Sequence, residues 1–354
     1  MRTSYSEDDV KLLLKDITGL AEPKPAKERE RLIQSGRHYS EMLPLEYVPG
    51  REYMQAYKAA LKNYSKPVAL ATGRLADKII KQRGRNIVLV SLARAGIPIG
   101  ILLKRYLKFK YNISVEHYSI SIIRDRGIDK NAMAYLLEKY DAKELLFVDG
   151  WIGKGAILSE LKKDLQEFEG VSDEIAVLAD PANVTSLCGT HEDILIPSSC
   201  LNCTVSGLIS RTFLRSDIIG KDDFHGAAYY EELESSDLSY EFINTIEKEF
   251  VSGNSFENSR EPDRIPERKG IDEVKKIARE YNIDNINFIK PGLGETTRVL
   301  LRRIPWKVLV RTGYKDSREL AHIIRLAEEK NVPVEYYPLE HYKACGIIKK
   351  LADT

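Results

Sequence analysis

A carboxylate, three glycines and a lysine stand close together between Asp149 and Gly155. Glycines let backbone N–H groups approach a phosphate closely, a helix N-terminus adds a partial positive charge, and a lysine adds a full one. A carboxylate at the carboxyl end of a strand is suited to sugar hydroxyls or to Mg²⁺. The spacing therefore predicts a phosphate-binding loop over residues 150–156, beside a carboxylate at Asp149.

The residues around this loop predict a strand, a tight turn and a helix. Residues 145–148 are continuously apolar, and apolar residues recur at helical spacing from Ile157 to Leu165. Further strand patterns at 86–92, 114–123 and 174–179 alternate with helical patterns, which indicates an α/β fold with a mainly parallel sheet covered by helices. We also expect a helix from Ser6 over residues 10–17, helices at 52–61 and 67–82, and a strand beginning at Ile194.

The run ELLFVDGWIGKGAILSELKKDL, residues 144–165, resembles the phosphoribosyltransferase signature. It is most similar to StiP-type phosphoribosyltransferases of tellurium-resistance stress operons, whose loop reads close to VDGWxGKGAI. Asp149 matches the first acid of the signature, whereas Gly150 replaces the second. The resemblance implies a magnesium-dependent transferase that uses phosphoribosyl diphosphate and an unknown acceptor to make a nucleotide-like or nucleoside-like product.

The resemblance also implies roles for individual residues. Catalysis is expected to rest on Asp149, Lys154 and Arg124, with Mg²⁺ on Asp149. The loop ARAG after the first core strand resembles a pyrophosphate loop. Phosphoribosyl diphosphate is expected to contact Ala93, Arg94, Ala95, Gly96, Asp149, Gly150, Trp151, Ile152, Gly153, Lys154, Gly155 and Ala156. Arg126, Arg211 and His225 are expected to face the substrate.

A second unit, residues 271–354, predicts a small α/β/α sandwich that ends in a helix. Its turn KPGLGETTRVLLRR, residues 290–303, resembles the glycine-rich helix start of the Pelota-type RNA-binding domain. The resemblance implies that this unit binds structured RNA through Gly292, Gly294, Glu295, Thr296 and Arg298. From residue 271 onward, 16 basic residues stand against 12 acidic ones, an excess that permits RNA binding without demanding it. A helix cap that binds nothing is the alternative.

The whole chain predicts four segments: an N-terminal helical extension or cap at 1–84, a phosphoribosyltransferase-like domain at 85–251, a linker at 252–270 and the Pelota-type unit at 271–354. With 354 residues, 43% of them hydrophobic and 30% charged, the composition is that of an ordinary globular protein. Four cysteines make no disulfide framework, and the sequence shows neither a signal peptide nor a membrane span. We expect a cytoplasmic protein without a membrane partner, and we consider a homodimer.

Three alternatives compete with the transferase. Cys188, His191, Cys200 and Cys203 have zinc-like spacing, although buried inert thiols explain the same residues. A cysteine protease would need Cys200 or Cys203 as nucleophile and His191 or His225 as base. A nucleotide-sensing, RNA-binding regulator without turnover would account for the missing second acid at Gly150.

Overall fold

The computed structural model describes residues 1–251, 269–314, 317 and 319–350. Residues 1–251 form the first unit. Its strands, in chain order, are β1 Lys11–Leu12, β2 Lys15–Asp16, β3 Val88–Leu92, β4 Glu116–Ile120, β5 Ile122–Ile123, β6 Gly127–Ile128, β7 Leu145–Trp151, β8 Ile175–Ala179, β9 Cys188–Thr190 and β10 Gly226–Ala227. The helices of this part are α1 Ala26–Gln34, α2 Arg51–Arg83, α3 Gly96–Tyr111, α4 Lys130–Leu137, α5 Ala156–Asp164 and α6 Ser239–Glu247.

Six of these strands form one sheet in the order β1-β4-β3-β7-β8-β9, and every neighbouring pair is parallel. The central strand β7 is buried on both faces. Leu146 and Val148 belong to the core that includes α2 and α3, whereas Leu145 and Phe147 belong to the core that includes α4 and α5. The predicted α/β architecture with a helix-covered, mainly parallel sheet is therefore confirmed.

The N-terminal segment differs from the prediction. No helix forms over residues 10–17, because Lys11 and Leu12 pair with β4 and extend the main sheet, and β2 pairs with β10. The two helices expected at 52–61 and 67–82 are one helix, α2, which continues through Pro67. A proline removes one backbone hydrogen bond, but residues buried on both sides of it, Tyr57 and Leu75 among them, keep the helix against the sheet.

The edge strand after β8 also lies elsewhere than predicted. Ile194 begins no strand, and the edge position is taken by β9, which pairs in parallel with β8. Leu195 and Ile196 are nevertheless buried. Their apolar character therefore reflects packing of a connecting segment and not strand formation.

The second unit contains α7 Lys269–Glu280, β11 Ile289–Pro291, α8 Leu293–Arg302, β12 Pro305–Arg311, α9 Ala321–Glu329, β13 Val334–Tyr337 and β14 Ala344–Ile348. Its strands form a mixed sheet in the order β11-β14-β12-β13. The predicted terminal helix is wrong, since β14 occupies that position, between β11 and β12. All five residues of β14 are buried, and Gly346 lets α8 approach closely, because an added Cβ would lie 3.1 Å from Cβ of Val299.

Some predictions fall outside the described residues. The predicted linker lies there except for Lys269 and Gly270, which begin α7. Residues 351–354 lie outside as well, and the division into four segments stays a prediction. Among the described helices, none is long and apolar enough to cross a membrane.

Candidate functional site

A cavity of about 350 Å³ lies where the loops after β3 and β7 face α8 of the second unit. Its walls bring together most residues that the sequence assigned to substrate binding, namely Ala93, Arg94, Ala95, Arg124, Asp149, Trp151, Ile152, Gly153, Lys154, Gly155, Ala156 and Arg211. The second unit adds Lys290, Glu295, Arg298, Arg302 and Arg303. The cavity is thus formed by both units, and most of the charged residues in its wall are cations.

Two of the predicted phosphate-binding glycines have a packing role in the structure. A Cβ on Gly96 would overlap the carbonyl oxygen of Val148 on β7. A Cβ on Gly150 would lie 3.3 Å from the carbonyl oxygen of Ala95. Neither Gly96 nor Gly150 lines the cavity, so both glycines serve the close contact between the loop after β3 and β7.

Lys154 reaches the second unit. Its Nζ donates hydrogen bonds to the carbonyl oxygens of Ile286 and Ile289, at 2.6 and 3.3 Å. Burial, with the nearby charge of Lys290, lowers the pKa of the Lys154 amine to about 7. Lys154 therefore lines the cavity and also holds the two units together, a role that its sequence position did not suggest.

Asp149 lies near the end of β7 and lines the cavity. Its Oδ1 accepts a hydrogen bond of 2.7 Å from the backbone N–H of Gly150. Burial raises the pKa of the Asp149 carboxyl to about 7. In the part of the chain that the structure describes, no group of three or more His, Cys, Asp or Glu side chains is placed to hold a metal. Magnesium at Asp149 stays a prediction that would require ligand or water oxygens.

The four arginines that the sequence assigned to catalysis or to ligand contact separate into two sets. Arg124 lines the cavity with its guanidinium 5.5 Å from the ring centre of Tyr39, and Arg211 lines it as well. Arg126 instead pairs with Glu41 at 3.0 Å near the surface. Arg94 lies in the wall, but one guanidinium nitrogen is 3.1 Å from Glu46.

His225 lies away from this cavity. Its Nδ1 is 2.9 Å from Oγ of Ser121, and its backbone N–H donates to Asp129 at 2.5 Å. Burial lowers the pKa of the His225 imidazole. These contacts give His225 a structural role between β10 and the loops that precede α4.

The residues predicted to contact RNA face the first unit. Arg298 places its guanidinium 4.3 Å from the ring centre of Trp151 and pairs with Glu295 at 3.3 Å. Gly294 lies beside Ser199 and the same tryptophan, and Thr296 is completely buried. Gly292 adopts a φ of 94° and donates its N–H to the carbonyl of Ala344. The beginning of α8 is therefore part of the contact between the units.

Asp193 and Tyr342 fasten this contact. The Asp193 carboxylate accepts backbone hydrogen bonds from Leu293 at 2.9 Å and from Lys343 at 2.8 Å. The Tyr342 hydroxyl donates to the carbonyl of Gly153 at 2.6 Å. The loop over residues 150–156, which the sequence predicted to bind phosphate, thus contacts the second unit directly.

The four cysteines of the chain are all buried, and none of them forms a disulfide within the described residues. Burial raises the pKa of the Cys200 thiol and of the Cys345 thiol to about 12, and it raises the pKa of Cys203 as well. The two cysteines named as nucleophiles in the protease alternative, Cys200 and Cys203, are therefore poorly suited to form thiolates.

Cys188 has a different environment. Its Sγ lies 3.4 Å from Nε2 of His191. On the other side of that ring, Nδ1 lies 3.1 Å from the carbonyl oxygen of Asp180 and 3.7 Å from its carboxylate. The Asp180 carboxylate is held in turn by the backbone N–H groups of Val184 and Thr185. Cysteine, histidine and aspartate thus stand in the order used by nucleophilic thiol sites.

Sequence reasoning missed this trio. The signal was present, because Cys188 and His191 were recognised as a C-x2-H pair, but the pair was considered only for zinc. Asp180 follows β8, and Cys188 lies on the neighbouring β9, so adjacency depends on sheet pairing.

His191 lines a second cavity, of about 460 Å³. The other residues of its wall are Pro181, Asn183, Glu192, Asp193, Lys269, Arg311, Glu340, His341 and Lys343. Both acidic and basic side chains occur there. The wall therefore offers positive and negative side chains, which donate and accept hydrogen bonds, close to the Cys188–His191 pair.

Comparison with known proteins gives three findings. Residues 3–247 match the family model described as "Tellurite-like stress resistance cysteine protease StiP". Residues 268–350 match the model of the Pelota RNA-binding domain. The chain is also 36% identical over 364 residues to "Cysteine protease StiP" of Acinetobacter baylyi (strain ATCC 33305 / BD413 / ADP1), covering 98% of this chain and 94% of that protein.

These matches correct the predicted activity. The phosphoribosyltransferase function, with its transferase class and its phosphoribosyl diphosphate chemistry, is wrong, because the family model and the relative both carry the name of a cysteine protease. The resemblances to StiP-type proteins and to the Pelota domain are confirmed. The chain therefore belongs to the StiP family of tellurite-like stress resistance proteins and carries a Pelota RNA-binding domain after the family's own region.

Proposed function

We propose that this chain is a cysteine protease in which Cys188 is the nucleophile, His191 the general base and Asp180 the residue that positions His191. The observation that carries the proposal is the 3.4 Å separation between Cys188 Sγ and His191 Nε2. The chain has four cysteines. For the other three, burial raises the pKa of the thiol, and among the described residues no hydrogen bond joins the sulfur of any of them to a histidine.

The geometry supports a definite proton path. With Nδ1–H donated to the Asp180 carbonyl, Nε2 of His191 is unprotonated and receives the thiol proton of Cys188. The thiolate then attacks the carbonyl carbon of a peptide bond, and His191 returns the proton to the departing amine. Water hydrolyses the resulting thioester, with His191 again taking a proton, and regenerates the thiol.

Substrate access requires a movement. Cys188 is completely buried, whereas His191 lines the cavity of about 460 Å³. A peptide entering this cavity meets His191 first, so the segment after β9 must shift before a carbonyl carbon reaches Sγ. Conformational steps of this kind commonly assemble active sites on substrate binding.

The test is hydrolysis of fluorescein-labelled casein by the purified chain. Cys188→Ser and His191→Gln are expected to reduce the rate to that of the protein-free control, since loss of either member disables the pair. Cys203→Ser is the matched control, because it removes a buried thiol that lies outside the trio, and it should retain hydrolysis. Thermal unfolding of each variant separates loss of folding from loss of chemistry. Undiminished hydrolysis by Cys188→Ser, or none by the wild type, would refute the proposal.

RNA binding by the second unit is a separate proposal, favoured by the match of residues 268–350 to the Pelota model. Since Glu295 and Arg298 face the first unit, another surface must serve. Trp306 is 40% exposed on β12, where its ring can stack on an unpaired base. Filter binding of a structured RNA should weaken with Trp306→Ala and not with Leu20→Ala, an exposed apolar control in the first unit. Equal binding by both variants would exclude this surface.

A further inference from the structure

The cavity between the β7 loop and α8 concentrates positive charge. Eight lysine or arginine residues line it against two carboxylates, Asp149 and Glu295. The cations are Arg94, Arg124, Lys154, Arg211, Lys290, Arg298, Arg302 and Arg303. Few buried surfaces gather this much charge of one sign, because charges that leave water need a partner.

Among the described residues, some of these cations pair with a carboxylate and others do not. Arg94 pairs with Glu46, and Arg303 pairs with Glu30 at 2.7 Å. Within the described part of the chain, no ion pair to a carboxylate is formed by Arg211, Lys290 or Arg302. The Nη2 atom of Arg302 is buried without a hydrogen-bond acceptor. The cavity therefore presents donors that protein atoms leave unsatisfied.

Burial and repulsion between neighbouring cations lower the pKa values of these groups. Burial lowers the pKa of Lys290 to about 8, and burial together with the charge of Arg298 lowers the pKa of Arg302 to about 10. The pKa of Arg211 falls well below its ordinary value, through burial and the charges of the surrounding arginines. An anion placed among them would favour the charged forms of these groups and raise their pKa values.

We infer that this cavity binds a small anion carrying two or more phosphate groups, held by both units at once. Arg298 and Arg302 lie on successive turns of α8, and Arg211 and Arg124 of the first unit line the same cavity. Guanidinium groups bind phosphate oxygens in pairs. Three unpaired cations exceed what one phosphate group neutralises, which is why the ligand carries more than one.

The size of the site favours a small ligand over RNA. A volume of about 350 Å³ lies in the usual range for small-molecule sites. A smaller cavity of about 220 Å³ adjoins it, and the two share Tyr39, Arg124, Arg211, Lys290, Arg302 and Arg303. The ligand can therefore extend past the cationic wall. A folded RNA would need an open surface, whereas here both units wall the space.

This site is independent of the proposed protease centre. The cavity at His191 and the cationic cavity have no lining residue in common. Failure of one proposal therefore leaves the other standing. A ligand that bridges the units is expected to stabilise their contact by mass action.

The experiment is calorimetric titration of the full chain with orthophosphate, pyrophosphate and adenosine diphosphate in separate arms. Pyrophosphate is expected to bind at least about tenfold more tightly than orthophosphate, because it engages more of the cations. Stronger binding of the nucleotide than of pyrophosphate would assign a nucleoside diphosphate, and weaker binding would assign a free polyphosphate. No binding of either at millimolar concentration would overturn the inference.

Variants locate the site. Arg302→Met and Arg211→Met are each expected to weaken pyrophosphate binding at least about tenfold. Arg325→Met is the matched control, because this exposed arginine on α9 pairs with Glu329 away from the cavity. Equal affinity in all three variants would place the ligand elsewhere and refute the inference.

A measurement on the unaltered protein guards against misfolded variants. Pyrophosphate should protect Lys290 from acetylation by acetic anhydride, as read by mass spectrometry, whereas the exposed Lys163 should react at the same rate with and without the ligand. Unchanged acetylation of Lys290 at saturating pyrophosphate would overturn the inference. The inference would also be overturned if RNA displaced pyrophosphate and if that RNA binding required Arg302, since RNA would then be the ligand of the cavity.

Discussion

Replacing Asp149 by asparagine tests the electrostatics of the cationic cavity. The substitution keeps the size of the side chain and its acceptor for the Gly150 N–H, but it removes the ionisable group. Burial raises the pKa of Asp149 from 3.8 to about 7. A difference of about 3 pKa units corresponds to about 4 kcal/mol, which is a ceiling because the carboxylate borders a cavity that admits water.

The sign follows from proton binding. Between pH 4 and pH 7 the folded protein holds a proton on Asp149 that the unfolded chain has lost. The free energy of unfolding contributed by this group therefore falls as pH rises through that window and stays low above pH 7. Asp149→Asn abolishes the effect. Relative to the wild type, the variant should gain about 2 to 4 kcal/mol between pH 4 and pH 8.

The assay is urea unfolding of both proteins at pH 4, pH 6 and pH 8, followed by tryptophan fluorescence. Trp151, one of the two tryptophans, lines the same cavity as Asp149, so its emission contributes to the unfolding signal. Asp222→Asn removes an exposed carboxylate and serves as the control, with an expected difference within about 0.5 kcal/mol at each pH. An Asp149→Asn difference that is the same at pH 4 and pH 8 would show that the carboxyl is not perturbed.

Three further predictions concern the contacts that assemble the cavity. In the wild type the free energy of unfolding should rise between pH 7 and pH 10, because the pKa of Lys154 is about 7 in the folded state and 10.5 ordinarily, so that the folded state favours the neutral amine. Lys154→Met should abolish this rise, which urea unfolding across that range measures. Gly96→Ala should lower the unfolding free energy by about 2 kcal/mol or more through overlap with the β7 backbone, whereas Gly50→Ala, with open space around it, should cost less than about 1 kcal/mol; both follow from thermal melts. Asp193→Asn should speed amide hydrogen exchange at Leu293 at least about tenfold, because the N–H loses a charged acceptor. Unchanged exchange would show that Asp193 does not stabilise the contact between the units.

Several features of the fold followed from local sequence patterns. The alternation of buried strands with helical segments was sufficient to predict the parallel sheet. It also placed the loops at 93–96 and 150–156 together, because the carboxyl ends of neighbouring parallel strands meet at one edge. The structure brings Arg94 and Lys154 to the same cavity, as that rule requires.

Other features depend on contacts between distant residues. Residues 344–348 form a strand because β11 and β12 flank them, which local periodicity does not reveal. Arg298 and Glu295 face Trp151 because the units dock through α8. The Cys188 trio likewise needs the pairing of β8 with β9. The glycines at 96 and 150, which the sequence predicted as phosphate contacts, also lie so close to neighbouring backbone that a Cβ would crowd it, and local sequence does not reveal that packing.

The alkylation rates of the four cysteines in the native chain test the proposed nucleophile most directly. Iodoacetamide reacts with thiolates, and mass spectrometry of the digested protein gives a rate for each site. We predict that Cys188 reacts at least about tenfold faster than Cys200, Cys203 and Cys345, and that His191→Gln removes the advantage. A Cys188 that reacts as slowly as the other three thiols, or that is indifferent to the loss of His191, would contradict the account.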